Sequence, residues 1–340
     1  MAYKRIVLAT DGSPSAETAE HVAATLAAGT KAKLTIVHVT ADPSQAGQAV
    51  ARAMRIAERE GIKHEVVVST GEPAEAIVHA AEEADAEIIV TGSKGLFKAE
   101  QLIGSVVRKV LTHAPCDVLL TRARDEADRP HGSPPYRRIL LATDGSATAD
   151  RAAHKAYALA GRLGASMTLA FVGHPKTGEL VLSDTAATIG ESAPVGMLIL
   201  DGDPAEQIVA TADKEGFDLV MVGNKGMTGA RAALLGSVPR DIAEYATCDV
   251  LVARTIAQNL SEIGPGEGGI VATGDHKVAV YRDERGNITT VSAKCTHMGC
   301  TVKWNPAEKT WDCPCHGSRF ASTGAVVNGP AERPLQPTDL

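Results

Sequence analysis

The chain opens with Arg5-Ile-Val-Leu-Ala-Thr-Asp-Gly-Ser13 and repeats it almost unchanged as Arg138-Ile-Leu-Leu-Ala-Thr-Asp-Gly-Ser146. A second pair follows in the same order, Cys116-Asp-Val-Leu-Leu120 and Cys248-Asp-Val-Leu-Val252. The copies of the first stretch begin 133 residues apart and those of the second 132. Since order and spacing are both kept, the chain contains one domain duplicated with small insertions.

Each copy alternates short apolar runs with longer amphipathic stretches. The runs are nearly continuous in Val, Ile and Leu, as is typical of parallel strands covered on both faces. In the first copy they are Ile6 to Ala9, Leu34 to Val39, Val66 to Val68, Ile88 to Val90 and Val118 to Leu120. Ser13 and Pro14 are typical of a helix start, and Gly29 is expected to end that helix. The pattern predicts a doubly wound, Rossmann-like α/β parallel sheet with right-handed crossovers in each copy.

After Ala257 helical periodicity disappears, and Gly and Pro become frequent. Short apolar runs flank a predicted turn at Gly286-Asn287, which indicates a small all-β domain. The charged, Pro- and Gly-containing stretch between the copies is read as a linker. The predicted division is a first domain at 1–123, a linker at 124–135, a second domain at 136–256 and the β domain at 257–340.

Two blocks in the last domain carry metal-binding chemistry: Cys295-Thr-His297-Met-Gly-Cys300 and Cys313-Pro-Cys315-His316-Gly-Ser318. In a 2Fe-2S centre one iron can take two thiolates and the other two neutral imidazoles, which raises the reduction potential above that of an all-cysteine cluster. Two Cys and two His also suit a structural zinc ion. Zinc accounts neither for the second cysteine pair nor for the Gly-Ser that follows His316.

These blocks resemble the Rieske family over about Asn259 to Leu340. The resemblance implies that Cys295, His297, Cys313 and His316 bind the two irons, and that Cys300 and Cys315 form a disulfide between the cluster loops. It implies further that Ser318 donates to a bridging sulfide, that Asn328-Gly-Pro330 covers the cluster, and that a redox partner protein exchanges electrons with it.

The chain departs from the high-potential respiratory members of that family at one donor. It has Phe320 where those members place a tyrosine whose hydroxyl bonds a ligand sulfur. We therefore expect a potential below that of the respiratory proteins, inside the Rieske range of about −150 to +300 mV.

Glycines and polar residues follow the strands of the second copy at the edge where α/β sheets bind ligands. Asp144 follows the first strand, Val172 ends the second, Gly223-Asn-Lys-Gly226 follows the fourth, and Gly236-Ser237 opens the last helix. A glycine loop that leads into a helix N-terminus offers unpaired N–H groups to a polyphosphate. Glycines at strand ends also simply turn the chain, and the absence of a Walker sequence argues against vigorous ATP hydrolysis.

This arrangement resembles the ATP-binding branch of the universal stress protein family over about Ala2 to Arg122 and Tyr136 to Arg254. The resemblance implies that Asp144 and the backbone of Val172 contact adenine, and that Gly223, Gly226, Gly236 and Ser237 hold ribose and phosphates. The first copy has Asp11, Val39, Gly92, Gly95, Gly104 and Ser105. Eight residues separate Gly95 from Gly104 where nine separate Gly226 from Gly236, which leaves nucleotide binding by the first copy open.

Composition limits the partners. With 34 Lys and Arg against 41 Asp and Glu the net charge is −7, and no segment has the basic density that a nucleic acid requires. No apolar run approaches the roughly 18 residues of a membrane span, and the first apolar run is too short for a secretory signal. We therefore expect a cytoplasmic protein without membrane or nucleic-acid partners. Cys116 and Cys248 each begin a predicted buried strand.

Together these features predict an electron-transfer and nucleotide-binding protein acting in stress response or redox sensing, with a 2Fe-2S cluster and ATP as cofactors. The alternative is a ferredoxin-like component of a multi-protein oxygenase or flavoprotein oxidoreductase system. A third interpretation is an interaction scaffold that has lost its nucleotide. No site for catalysis beyond one-electron transfer is evident. Domains of the stress-protein family commonly associate in pairs, so we expect the copies to pair within the chain, and further homo-oligomerisation stays open.

Overall fold

The computed structural model describes residues 3–93, 103–123, 134–190, 194–224, 235–254, 260, 263–273, 276–305, 308–313 and 316–339. They separate into two units, a large α/β unit and a small β unit. The α/β unit contains both copies of the repeated sequence.

In the α/β unit, strands and helices alternate along both halves. The first half contains β1 (Arg5–Ala9), α1 (Glu17–Thr30), β2 (Lys33–Val39), α2 (Ala46–Arg59), β3 (His64–Ser69), α3 (Pro73–Glu83), β4 (Ile88–Gly92), α4 (Ser105–His113) and β5 (Asp117–Thr121). The second half contains β6 (Arg138–Ala142), α5 (Ala147–Leu163), β7 (Ser166–Val172), α6 (Pro175–Ile189), β8 (Val195–Leu200), α7 (Pro204–Glu215), β9 (Leu219–Gly223), α8 (Ser237–Tyr245) and β10 (Asp249–Ala253).

The ten strands form one sheet in the order β3-β2-β1-β4-β5-β10-β9-β6-β7-β8. Every neighbouring pair within a half is parallel, and β5 and β10 join the halves as an antiparallel pair. Each half therefore has its first and fourth strands side by side at its centre, which is the switch point where such sheets bind ligands. The prediction of a doubly wound parallel sheet is confirmed.

The central strands of the sheet are buried on both faces. On β1, Ile6 and Leu8 belong to one apolar cluster and Val7 and Ala9 to a second, and each cluster continues onto helices of both halves. This arrangement is the reason that the strand sequences are continuous apolar runs: both sides of each central strand are covered by helices.

The start and end of α1 differ from the sequence expectation. Ser13 precedes a 3₁₀ turn, Pro14–Ala16, and α1 begins only at Glu17. The expectation that Gly29 ends the helix is wrong, because the helix runs on to Thr30 and the left-handed position (φ 55°) falls to Lys31. A Cβ at Gly29 would meet nothing within 4 Å, so no contact requires glycine there.

A buried carboxylate lies at the start of each joining strand. Asp117, at the start of β5, accepts from the Tyr3 hydroxyl (2.8 Å), from Lys155 Nζ (2.7 Å) and from the Arg254 backbone N–H (2.7 Å). Lys155 and Arg254 belong to the second half, so this carboxylate ties the halves together. Its counterpart on β10, Asp249, accepts from the Tyr136 hydroxyl at 2.8 Å.

The β unit consists of two small antiparallel sheets, in agreement with the predicted all-β domain. One contains β11 (Gly268–Thr273), β12 (His276–Arg282) and β13 (Ile288–Ser292); the other contains β14 (Lys303–Asn305), β15 (Thr310–Asp312), β16 (Arg319–Ala321) and β17 (Val326–Asn328). Trp311 and Phe320, opposite each other on β15 and β16, are fully buried and form the centre of its core.

None of the helices in the described ranges combines the length and the apolar character needed to cross a bilayer.

We predict that Lys155→Met destabilises the α/β unit by about 3 kcal/mol, because it leaves the buried Asp117 carboxylate without its cationic partner. Urea unfolding followed by helical circular dichroism measures this, since the described helices all lie in that unit. Lys33→Met is the control. Lys33 pairs with Glu65 at the surface (2.6 Å), and its loss should cost less than about 1 kcal/mol. Equal effects of the two changes would contradict the prediction.

Candidate cluster and nucleotide sites

The first ligand loop follows β13 and is a tight turn closed on itself. The Cys295 N–H donates to the Cys300 carbonyl (2.9 Å), and the Gly299 N–H donates back to the Cys295 carbonyl (2.8 Å). Gly299 has a positive φ of 77°, which a side chain would strain. The backbone therefore fixes Cys295 at the base of the loop and leaves His297 near its tip.

The second ligand loop, between β15 and β16, is closed in the same way. The Cys313 N–H donates to the Ser318 carbonyl (2.7 Å), and the Gly317 N–H donates to the Cys313 carbonyl (3.1 Å). Gly317 has a φ of 75°. The two loops thus hold Cys295 and Cys313 by equivalent backbone bonds, and the histidine follows two residues later in the first loop and three residues later in the second.

The four predicted ligands divide into a buried pair and an exposed pair. Cys295 and Cys313 are 3% exposed, are not disulfide-bonded and belong to one apolar cluster. The rings of His297 and His316 are exposed and meet edge to face, with centroids 4.9 Å apart. This donor set fits a cluster whose two irons take two thiolates and two imidazoles. Within the described ranges, no three His, Cys, Asp or Glu side chains gather around one point; a Rieske cluster asks for only two at each iron.

Ser318 is fully buried beside this loop pair. Its Oγ accepts a hydrogen bond from the Ala331 N–H (3.0 Å). Because that bond uses a lone pair, the hydroxyl proton stays available to donate elsewhere. The contact also brings the chain just after Asn328-Gly-Pro330 against the second ligand loop. Of the predicted disulfide pair, Cys300 lies at the end of the first loop, and Cys315 lies outside the described residues.

The first copy has a cavity of about 350 Å³ at its switch point, a size typical of small-ligand sites. Five of its six predicted nucleotide residues line this cavity together: Asp11, Val39, Gly92, Gly104 and Ser105. The sixth, Gly95, lies outside the described residues. Gly104 is the N-cap of α4, so the helix N-terminus with its unpaired N–H groups opens at the cavity.

In the second copy the predicted residues stand at the corresponding ends of strands. Asp144 follows β6, Val172 ends β7, Gly223 ends β9, and Gly236 is the N-cap of α8, which begins at Ser237. The sixth residue, Gly226, lies outside the described residues.

The two copies anchor their glycine loops in the same way. The Gly104 N–H donates to the Ser93 carbonyl (3.1 Å), and the Gly236 N–H donates to the Asn224 carbonyl (2.9 Å). The first copy has one residue fewer between its two loop glycines than the second copy, which leaves its nucleotide binding open. In both copies this stretch lies between the two residues that form the anchoring backbone bond. Both helix N-termini are held by equivalent backbone bonds.

The acidic loop after the first strand is also the same in both copies. The Ser13 N–H donates to Asp11 Oδ1, and the Ser146 N–H donates to Asp144 Oδ1, each over 3.0 Å. Each carboxylate is thereby held in one orientation at the strand end.

Sequence reasoning missed several apolar residues of the cavity, among them Pro73 and Ile77 on α3. The repeat could have found them, because Pro73-Ala-Glu-Ala-Ile77 recurs as Pro204-Ala-Glu-Gln-Ile208 in the second copy. That pattern is easily overlooked because its apolar residues look like ordinary helix core.

Known families match both parts of the chain. The sequence model of the universal stress protein family matches residues 2–122, 135–192 and 178–254, and that of the Rieske [2Fe-2S] domain matches residues 254–339. The chain therefore belongs to the universal stress protein family and carries a C-terminal Rieske 2Fe-2S domain.

Similar curated proteins align with the Rieske part. The putative Rieske 2Fe-2S iron-sulfur protein YhfW of Bacillus subtilis is 52% identical over 79 residues, which is 23% of this chain and 16% of that protein. The cytochrome b6-f complex iron-sulfur subunit of Chlorobaculum tepidum is 34% identical over 140 residues, or 41% of this chain and 76% of that subunit. The chain thus spans only a small part of the Bacillus protein.

Solved structures align with the α/β part. A universal stress protein from Archaeoglobus fulgidus superposes with a TM-score of 0.62 at 23% identity, covering 74% of this chain and 98% of that one. A putative universal stress protein from Pseudomonas aeruginosa gives a TM-score of 0.61 at 20% identity, covering 74% and 94%. At these identities the likeness concerns the fold.

We predict that Cys248 reacts slowly with alkylating reagents. Burial, with the neighbouring Asp249 carboxylate, raises the pKa of its thiol to about 11. The reactive thiolate is therefore scarce at pH 8, and labelling by iodoacetamide should be roughly a hundredfold slower than in the unfolded chain. Peptide mass spectrometry against a urea-unfolded sample measures the ratio. Similar rates in both states would instead indicate a reactive cysteine.

Proposed function

We propose that this protein transfers single electrons through its Rieske domain and binds ATP in its stress-protein domains. The observation that carries the redox part is the division of four candidate ligands into two buried thiols and two exposed imidazoles. The observation that carries the nucleotide part is the cavity of the first copy, which five predicted residues line together.

In this proposal Cys295 and Cys313 hold one iron, and His297 and His316 hold the other. The cluster, when bound, would accept and release one electron at a time. Exposure of both imidazoles supports electron exchange with a partner protein at these loops, and Met298, next to His297 in the chain, is 68% exposed. Relatives that are subunits of a cytochrome complex support the same idea of a redox partner.

We further propose that a disulfide between Cys300 and Cys315 ties the two ligand loops together. Its support is that Cys300 is disulfide-bonded in the structure, whereas Cys295 and Cys313 are not in disulfides. The predicted domain limits, 1–123, 136–256 and 257–340, remain part of this proposal.

The test of the cluster is metal analysis with electron paramagnetic resonance on anaerobically purified full-length protein, before and after dithionite. We expect about two irons per chain and a rhombic signal on reduction. One zinc per chain and no signal would replace electron transfer by the structural zinc alternative.

We predict that Ser318→Ala lowers the reduction potential. The hydroxyl is buried, and its Oγ is already held by the Ala331 N–H, so its proton can stabilise the more negative, reduced cluster. A hydrogen bond to a charged group contributes about 1.5–3 kcal/mol, which for one electron corresponds to a fall of about 60–130 mV. Protein-film voltammetry measures it.

The matched control is Ser322→Ala, on the turn after β16. Ser322 uses its backbone carbonyl, which the Trp311 indole N–H contacts (3.3 Å), so removal of its hydroxyl should leave the potential unchanged. If both serine variants shift the potential equally, Ser318 has no direct role toward the cluster.

We predict two ATP sites, each removed by one substitution at a helix N-terminus. Ser105→Glu should abolish binding in the first copy and Ser237→Glu in the second, because the added carboxylate occupies the position that favours phosphate. Isothermal titration calorimetry should show the stoichiometry fall from about two to about one in each variant. Ser105→Gln and Ser237→Gln are the neutral controls of similar size.

An unmodified protein that binds no ATP would favour the scaffold interpretation of the duplicated domains. A stoichiometry of one in the unmodified chain, removed by only one of the two variants, would assign nucleotide binding to a single copy.

The second candidate function is a ferredoxin-like component of an oxygenase or flavoprotein oxidoreductase system. The exposed His297 and His316 pair favours it, because such a component must offer its cluster to a partner. Rapid reduction of the purified protein by a flavoprotein reductase, measured by stopped-flow absorption, would support this candidate, and reduction no faster than that of a zinc-loaded control would exclude the flavoprotein route.

A further inference from the structure

Each copy has one arginine, just after its last strand, that forms hydrogen bonds with residues of the other copy. Arg122 follows β5 and donates its backbone N–H to Asp249 Oδ1 of the second half (2.8 Å). Arg254 follows β10 and donates its backbone N–H to Asp117 Oδ1 of the first half (2.7 Å). The antiparallel β5–β10 pair makes this exchange reciprocal, because the end of each strand lies beside the start of the other.

The guanidinium groups reach the two helices that begin at the proposed phosphate sites. Arg122 Nη2 donates to the Ala243 carbonyl in the last turn of α8 (2.5 Å). Arg254 Nη2 donates to the Leu111 carbonyl in the last turn of α4. Each arginine therefore contacts the C-terminal end of a helix that belongs to the other copy.

These contacts match what a helix end requires. The last four carbonyls of a helix lack partners within it and form the negative end of its dipole, so a buried cation there is favourable. Burial lowers the pKa of Arg254 to about 10, and it lowers the pKa of Arg122 as well. At that value Arg254 stays charged at neutral pH.

Both helices need such support because they are short. α4 and α8 have nine residues each, fewer than an isolated helix needs for stability in water. At their N-terminal ends they begin at Ser105 and Ser237. Their placement at the nucleotide is thus fixed in part by a contact, at the opposite end, with the other copy.

We propose that Arg254 and Arg122 are positioning residues that complete the nucleotide site of the copy to which they do not belong. Arg254 serves α4 of the first copy, and Arg122 serves α8 of the second. This inference rests on the proposed ATP binding, and it adds that neither site reaches its full affinity without the other half of the chain.

Binding to chains with a single remaining site tests the proposal. In the Ser237→Glu chain, where only the first copy binds, Arg254→Met should weaken ATP binding about tenfold and Arg122→Met by less than about twofold. In the Ser105→Glu chain the two arginines should exchange roles. Arg254→Lys, which keeps the charge, should recover part of the loss. The proposal would be overturned if each arginine variant weakened ATP binding at the site of the copy that contains that arginine.

Hydrogen exchange without nucleotide gives a second, independent readout. Arg254→Met should speed exchange in α4 and not in α8, and Arg122→Met should do the reverse, with β5 and β10 unchanged in both. Uniform acceleration would overturn the proposal, because it would indicate general destabilisation. If neither single-site chain binds ATP, the proposed function fails, yet the crossed exchange pattern still decides whether the arginines hold these helices.

Discussion

The antiparallel pairing of β5 with β10 is the constraint on which the α/β unit depends. These are the last strands of the two copies, and their pairing turns two five-stranded sheets into one. It buries a carboxylate at each strand start, Asp117 and Asp249, 1% and 0% exposed. A buried carboxylate is costly unless donors satisfy it, and here part of the donors come from the opposite copy. The halves therefore cannot separate without exposing both the joined edges and these charges.

Much of this fold could be predicted from local sequence, but the pairing of the two joining strands could not. The five apolar runs of the first copy all lie within observed strands. The runs of the central strands are continuous in the sequence because helices cover both of their faces. The β5–β10 pair could not be found this way, since any apolar strand can pair with several others. Lys155 is likewise unremarkable in a helix, and only the tertiary structure brings it to Asp117. The expectation that Gly29 ends α1 was wrong because glycine is permitted at a helix end without being required there.

The cluster site is readable in the sequence because the chemistry imposes residue types at short spacing. The positions of cysteine and histidine in the two blocks are therefore sufficient to predict a candidate ligand set. The spacing of these residues does not reveal which of them are exposed. That depends on the tertiary structure, in which Cys313 is buried just after β15 and His316 is exposed in the loop before β16. The bond from the Ala331 N–H to Ser318 Oγ is equally hidden, because the two residues are thirteen positions apart in the chain.

The turn after the first strand is the same in both copies, but the side chains that support it from behind differ. The Thr10 and Thr143 hydroxyls each accept from the glycine two residues on, at 3.1 and 3.2 Å. Behind that shared turn, Thr10 donates to the buried Glu20, which forms an ion pair with the part-buried Arg52. Thr143 instead contacts the hydroxyl of Thr185. A hydroxyl needs only an acceptor behind it, so a charged and a neutral support serve equally well. The backbone of the turn itself cannot vary in this way, because a ligand at the strand ends would contact it directly.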